Sequence, residues 1–178
     1  MPGARVLSTK TIYKGPVFGL RQDRVIEPGG VRVVRDVVTH LGSVVVLPVF
    51  PDGRILLIRQ YRHAVGCFLW ELVAGRVDPG ETPRLAARRE LTEETGYSAS
   101  RLRKLMRVFP TPGFVSEWME VYLATGLKTG AARPEEDERI ATRRFTLMQL
   151  ERMMRRGTLR DAKSIAAILY YARFLRRG

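Results

Sequence analysis

The sequence predicts an α/β (α+β) fold in which a mixed β-sheet lies between helices as an α/β/α sandwich, with a small β subdomain ahead of it. Three observations carry this expectation. The run Val44 to Phe50 is nearly all apolar, which suits a strand buried on both faces and so covered by helices. A segment with helical start and stop signals follows at 82–96, and two more helical segments close the chain. Before residue 43 there are only β-branched runs broken by turn residues.

Taken in order, Phe18–Ile26 and Val31–His40 read as strands joined by a hairpin turn at Glu27-Pro28-Gly29-Gly30. Ser43–Phe50 is the central strand, Pro51-Asp52-Gly53 turns the chain, and Arg54–Tyr61 returns it. A short strand is expected at Leu69–Val73. Thr82 is a suitable N-cap, Pro83 suits the first helical position, and the helix should run to Thr95 and stop at Gly96. Strands follow at Leu102–Phe109 and Trp118–Ala124, then a Gly/Pro/acid-rich loop from Gly126 to Arg139. The tail reads as helices over Leu147–Arg156 and Ala162–Arg176, with Ile165, Ile168, Leu169 and Phe174 near helical spacing. The expected division is a β subdomain over 1–42 and a main domain over 43–178.

Composition narrows the function classes. With 178 residues, 45% of them hydrophobic and 28% charged, the chain has the make-up of one globular unit, not of a disordered protein. No apolar run approaches the roughly 20 residues of a membrane span, and the first thirty residues hold no stretch suited to a secretory signal. Cys67 is the only cysteine, which excludes an intrachain disulfide and a cysteine-rich metal site. A soluble, cytoplasmic protein is expected. The net charge of +13 comes mainly from arginine. It is scattered, and its denser stretches, Arg101–Arg107 and Arg152–Arg160, fall where amphipathic elements show a solvated face. That distribution argues against a nucleic-acid partner and is compatible with a small anionic substrate.

The informative stretch is Ala74–Tyr97, AGRVDPGETPRLAARRELTEETGY. On a helix, Glu90, Glu93 and Glu94 project within about 100° of one another. Like charges at this spacing repel, and the C-terminal end of a helix disfavours anions. A cation would relieve both effects, and oxygen-only ligands suit Mg²⁺ or Mn²⁺. The alternative is a solvated acidic face paired with Arg88 and Arg89. The stretch also resembles the Nudix box, the signature of the Nudix hydrolases, at Gly75, Glu81, Arg89, Glu90, Leu91, Glu93, Glu94, Gly96 and Tyr97, with both gaps of the required length. Tyr97 stands where the family usually has an aliphatic residue.

This resemblance implies the Nudix fold and hydrolysis of a nucleoside diphosphate linked to another group. It implies Glu90 and Glu94 as principal metal ligands, a further contact from Glu93, and the carbonyl of Ala74 completing the site. Arg89 would pair with Glu81 and belong, with Glu93, to the catalytic apparatus. Arg59–Gly66, Leu69–Glu81 and Phe109–Glu117 further resemble the ADP-ribose pyrophosphatases, with Val73 where that subgroup commonly has proline. The subgroup implies cleavage of ADP-ribose to AMP and ribose 5-phosphate, and a homodimer that exchanges the N-terminal subdomain. It also implies a base drawn from a late loop, with Glu136 first and Glu138 next; Glu93 or Glu117 would be the base otherwise. Arg62, Arg59, Glu71 and Phe18 are the expected substrate contacts, whereas Trp70, His40 and His63 are expected to be structural. Another nucleotide-sugar or CDP-alcohol pyrophosphatase, or an RNA-directed Nudix hydrolase, is the alternative.

Overall fold

The computed structural model describes residues 3–131 and 140–176, which fall into two compact units. The smaller comprises the N-terminal residues up to Gly42 together with Phe109–Trp118. Its antiparallel sheet has the order β1-β2-β3, from β1 (Arg5–Lys14), β2 (Gly19–Ile26) and β3 (Arg32–Thr39). The sequence predicts only a two-stranded hairpin here, and the structure adds β1. All ten residues of β1 are exposed, so no apolar alternation announces that strand. The segment after Phe109 is tied to β3 by the backbone bonds Val38 N to Phe114 O and Ser116 N to Val38 O.

The larger unit carries a mixed four-stranded sheet of order β7-β4-β9-β8. It is built from β4 (Ser43–Pro48), β7 (Val73–Arg76), β8 (Tyr97–Val108) and β9 (Met119–Thr129). β4 runs parallel to β9 and antiparallel to β7. A second, antiparallel sheet has the order β10-β5-β6, from β5 (Ile55–Arg62), β6 (Cys67–Glu71) and β10 (Ala141–Phe145). The helices are α1 (Pro83–Thr95), α2 (Leu147–Arg155) and α3 (Ala162–Phe174).

Strand β4 explains the layering. All six of its residues are buried. Val45 and Leu47 join a core with Leu57, Leu150, Ala167 and Ile168, which brings in α2 and α3. Val44 and Val46 alternate to the other face and are fully buried too, and α1 packs against β4 and β7. The mixed sheet between helices is thus observed as expected. The expected short strand over 69–73 is instead two, β6 and β7. Likewise β8 and β9 extend beyond the expected limits to Tyr97 and Thr129, consuming part of the expected loop.

Candidate active site

Helix α1 begins and ends where the sequence places it. Thr82 Oγ1 accepts the Leu85 N–H at 3.3 Å and Pro83 opens the first turn. Gly96 closes the helix in the left-handed region at φ 72°, its N–H bonded to Thr92 O. The buried face is Ala86, Ala87, Leu91, Glu94 and Thr95. A carboxylate thus lies on the apolar stripe: Glu94 is 3% exposed. Burial of this kind is costly unless hydrogen bonds or a cation accompany it.

Strand β7 sets the other wall. Its pairing with β4 places Ala74 opposite Val45 and Gly75 opposite Val44. A Cβ at Gly75 would stand 1.9 Å from Glu90 Oε1 and 2.0 Å from its Cδ. Only glycine lets the Glu90 carboxylate lie against this strand.

Arg89 dominates the outer side of the helix. Its Nε and Nη2 bind Glu81 at 3.1 and 3.0 Å, and Nη1 binds Glu90 Oε1 at 2.7 Å and Glu93 Oε2 at 3.1 Å. Asp78 lies 3.7 Å from Nη2, which also donates to the Arg76 carbonyl. Hydrogen bonding to Glu81, reinforced by Glu90 and Glu93, raises the Arg89 pKa, while Arg89 holds the Glu81 carboxyl below its usual range. Arg88 instead donates to the Ala99 carbonyl at 3.1 Å. Among the described residues it is Arg89, not Arg88, that pairs with Glu90 and Glu93.

The donor set fits a divalent ion in its chemistry: three carboxylates on one helix, one buried and one seated against a glycine, beside the backbone of Ala74. The side chains do not converge as they stand. No group of three His, Cys, Asp or Glu side chains among the described residues is arranged to hold an ion, because Arg89 draws Glu90 and Glu93 to itself.

The other expected residues are placed as follows. Arg62 binds both oxygens of Glu71 at 2.8 Å each, and Glu71, expected at the substrate, is only 1% exposed. Burial pushes the Glu71 carboxyl up, but Arg62 and Lys163 outweigh it and hold the pKa low. Arg59 is exposed and lies over the Phe68 ring at 5.0 Å. Trp70 packs edge-on against Phe145 at 5.0 Å, a structural role as expected. Glu136 and Glu138 lie outside the described residues. In the smaller unit, Glu117 stands 3.6 Å from His40 Nδ1, and Phe18 pairs with Tyr13 at 5.5 Å between ring centroids.

Two participants escape the sequence reading. Tyr13 belongs to the strand that had no signal. Lys163 sits 92 residues from Glu71, and its only local mark is the Asp161 cap of α3.

Residues 39–168 match the family described as NUDIX domain. The chain is 40% identical to an ADP-ribose pyrophosphatase of Mycobacterium tuberculosis, over 92% of this chain and 80% of the relative. It is 34% identical to an ADP-ribose pyrophosphatase of Bacillus subtilis, over 93% and 91%. A crystal structure of an ADP compounds hydrolase superposes with a TM-score of 0.84 at 23% identity, covering 98% of this chain and 95% of that one. The fold is therefore the Nudix fold. The chain belongs to the Nudix family and is a Nudix pyrophosphatase.

Proposed function

Proceeding from that membership, we propose that the chain hydrolyses the diphosphate of a nucleoside diphosphate sugar with the help of Mg²⁺ or Mn²⁺, ADP-ribose giving AMP and ribose 5-phosphate. The observation that carries the metal-dependent part is the Glu90 carboxylate seated against Gly75, beside buried Glu94. The nucleotide-sugar part is supported by the two relatives that bear the name ADP-ribose pyrophosphatase.

Glu90 and Glu94 would hold the ion, aided by Glu93 and the Ala74 carbonyl. When bound, it offsets diphosphate charge, polarises a phosphoryl oxygen and acidifies water. With Glu90 and Glu93 serving the ion, Glu81 would still hold Arg89 in place. Water adds to phosphorus as the bridging P–O bond breaks, and the water proton passes to one carboxylate, with Glu136 the favoured base and Glu138 the second candidate. Arg62, with Arg59 beyond it, grips the diphosphate. Phe18 would be a further substrate contact, its ring paired with Tyr13 within the smaller unit. Residues 1–42 contact a second copy of the chain. The exposed Val6, Leu7, Ile12 and Tyr13 of β1 support that reading, since a small sheet cannot bury such side chains alone.

The test is turnover with Mg²⁺ of ADP-ribose, GDP-mannose, CDP-choline, NADH and capped RNA. The highest kcat/KM is expected for ADP-ribose, and a preference for capped RNA would overturn the reading. In the same assay Glu136→Gln should lower kcat by about 10²–10⁴, and Glu138→Gln less. Unchanged kcat in both would pass the base to Glu93 or Glu117. Sedimentation of an active monomer at micromolar concentration would remove the dimer.

A further inference from the structure

Four charged side chains of the larger unit form a chain whose purpose the reaction above does not explain. Arg62, closing β5, gives Nε to Glu71 Oε1 and Nη2 to Glu71 Oε2, each at 2.8 Å. Lys163 Nζ reaches Glu71 Oε2 at 2.5 Å and Asp161 Oδ1 at 2.8 Å. Asp161 caps α3 by accepting the Ser164 N–H at 3.1 Å. The Ser164 hydroxyl in turn accepts the N–H of Leu72, next to Glu71, at 2.7 Å. The end of β6 and the start of α3 are thus clamped together at two points. Glu71, between the two cations, is the buried member: its side chain is 1% exposed, against 13% for Lys163, 14% for Asp161 and 38% for Arg62.

A guanidinium has two edges that can bind an anion bidentately, Nε with Nη2 and Nη1 with Nη2. Glu71 takes the first. Nη1 has no partner among the described residues, so the second edge stays open on the more exposed end of the chain. The Glu94 carboxylate is among the charges that favour the cationic form of Arg62, so this guanidinium stands within electrostatic reach of the box helix. Glu71 alone could swing with Arg62 as a free pair. With Lys163 on its second oxygen and Asp161 behind Lys163, its plane is fixed, and so is the plane of Arg62.

We propose that Glu71 and Lys163 are positioning residues that hold Arg62 with its open edge presented to two oxygens of a diphosphate. The inference rests on the reading of the site as one for diphosphates. It also carries a sign that separates it from simple electrostatics. Neutralising Glu71 makes the surroundings of Arg62 more positive, which by charge alone should tighten anion binding. Loss of orientation should weaken it.

The experiment measures the Kd of inorganic pyrophosphate by calorimetry, kcat and KM for the preferred nucleotide sugar, and the Tm. It uses wild type, Glu71→Gln, Lys163→Met, Arg62→Met and the double variant Arg62→Met/Glu71→Gln. Glu71→Gln should weaken pyrophosphate about tenfold and raise KM in step, with kcat changed far less, as expected when the support of a binding group is lost. Lys163→Met should act in the same direction and more weakly. In the Arg62→Met background, Glu71→Gln should leave Kd unchanged, because the residue it positions is gone. Unchanged or tighter pyrophosphate binding in Glu71→Gln would overturn the inference, as would equal weakening with and without Arg62. A merely structural role predicts a lower Tm with Kd intact. If Glu71→Gln fails to fold, Lys163→Met paired with Arg62→Met makes the same cycle. Because pyrophosphate has neither base nor sugar, its Kd decides the inference even if ADP-ribose is not the substrate.

Discussion

Two ion clusters of the larger unit, one on the box helix and one joining β5, β6 and α3, are built in opposite senses. Around Arg89, four carboxylates share one guanidinium: Asp78, Glu81, Glu90 and Glu93, at 3.7, 3.0, 2.7 and 3.1 Å. Around Glu71, two cations share one carboxylate, and Asp161 balances the second of them. The first cluster is partly exposed and short of positive charge. The second is centred on a buried carboxylate and neutral in sum, and what it leaves open is a donor edge. The contrast assigns their parts: an acid-rich cluster is completed by a cation, while a balanced one with a spare guanidinium edge is completed by an anion. Under the proposed function, a metal ion would complete the first and a diphosphate the second.

The strongest way to break this contrast is to remove carboxylates from the acid-rich side. Glu94→Gln and Glu90→Gln should lower Mg²⁺-dependent kcat by orders of magnitude, since each removes a full negative charge from the ion. The metal-free proteins should melt near the wild-type Tm, because Gln keeps the volume and relieves repulsion among the three carboxylates. Near-normal turnover in Glu94→Gln would mean that the acidic cluster is not completed by a metal.

Gly75→Ala is a finer cut. The added methyl would overlap the Glu90 carboxylate, which is the far end of a flexible side chain and can turn away. The fold should therefore tolerate the change, with Tm close to wild type. The displaced carboxylate is a proposed ligand, and misplacing such a group by about 1 Å costs roughly 10²-fold in rate. A glycine tolerant in stability yet intolerant in activity would mark the close approach as functional. Equal losses in both would make it a packing position.

The two clusters were unequally legible in the sequence. The acid-rich one lies within 24 consecutive residues: helical spacing groups Glu90, Glu93 and Glu94, the resemblance to the Nudix box implies parts for Gly75, Glu81 and Arg89, and the cap signals at Thr82 and Gly96 mark the helix that carries most of them. The balanced cluster joins residues 92 apart, and nothing local marks Lys163 as a partner of Glu71. Glu71 itself was expected at the substrate because its neighbours resemble a substrate motif. Its burial depends on β6 pairing with β5 and on α3 closing over it, which are tertiary facts. Strand signals failed in the same way. Buried β4 announced itself through Val44 to Leu47, whereas β1 is exposed throughout and β8 carries Arg101 and Arg103 on open positions. Where pairing rather than burial defines a strand, side-chain pattern is silent.

The smallest expected effect concerns how each cluster answers to acid and salt. Glu71 and Glu81 both have folded pKa values below the ordinary carboxylate value. An unfolded glutamate titrates near about 4.3. A depressed folded pKa gives stability that is fully present above that point and is lost as pH falls through the folded value. Comparing wild type with Glu71→Gln by urea unfolding, the stability gap should stay constant from pH 7 down to the unfolded pKa and close below it. Glu81→Gln should behave likewise with a smaller gap, since the Glu81 side chain is 16% exposed against 1% for Glu71. Salt should then separate them. At 1 M, where the screening length is about 3 Å, the Glu81 gap should shrink while the Glu71 gap persists, because solvent ions do not reach a carboxylate enclosed by Arg62 and Lys163. Should both gaps shrink alike, the Glu71 cluster would be as open as the Arg89 cluster. The rigid support assigned to Arg62 would then fall with the contrast.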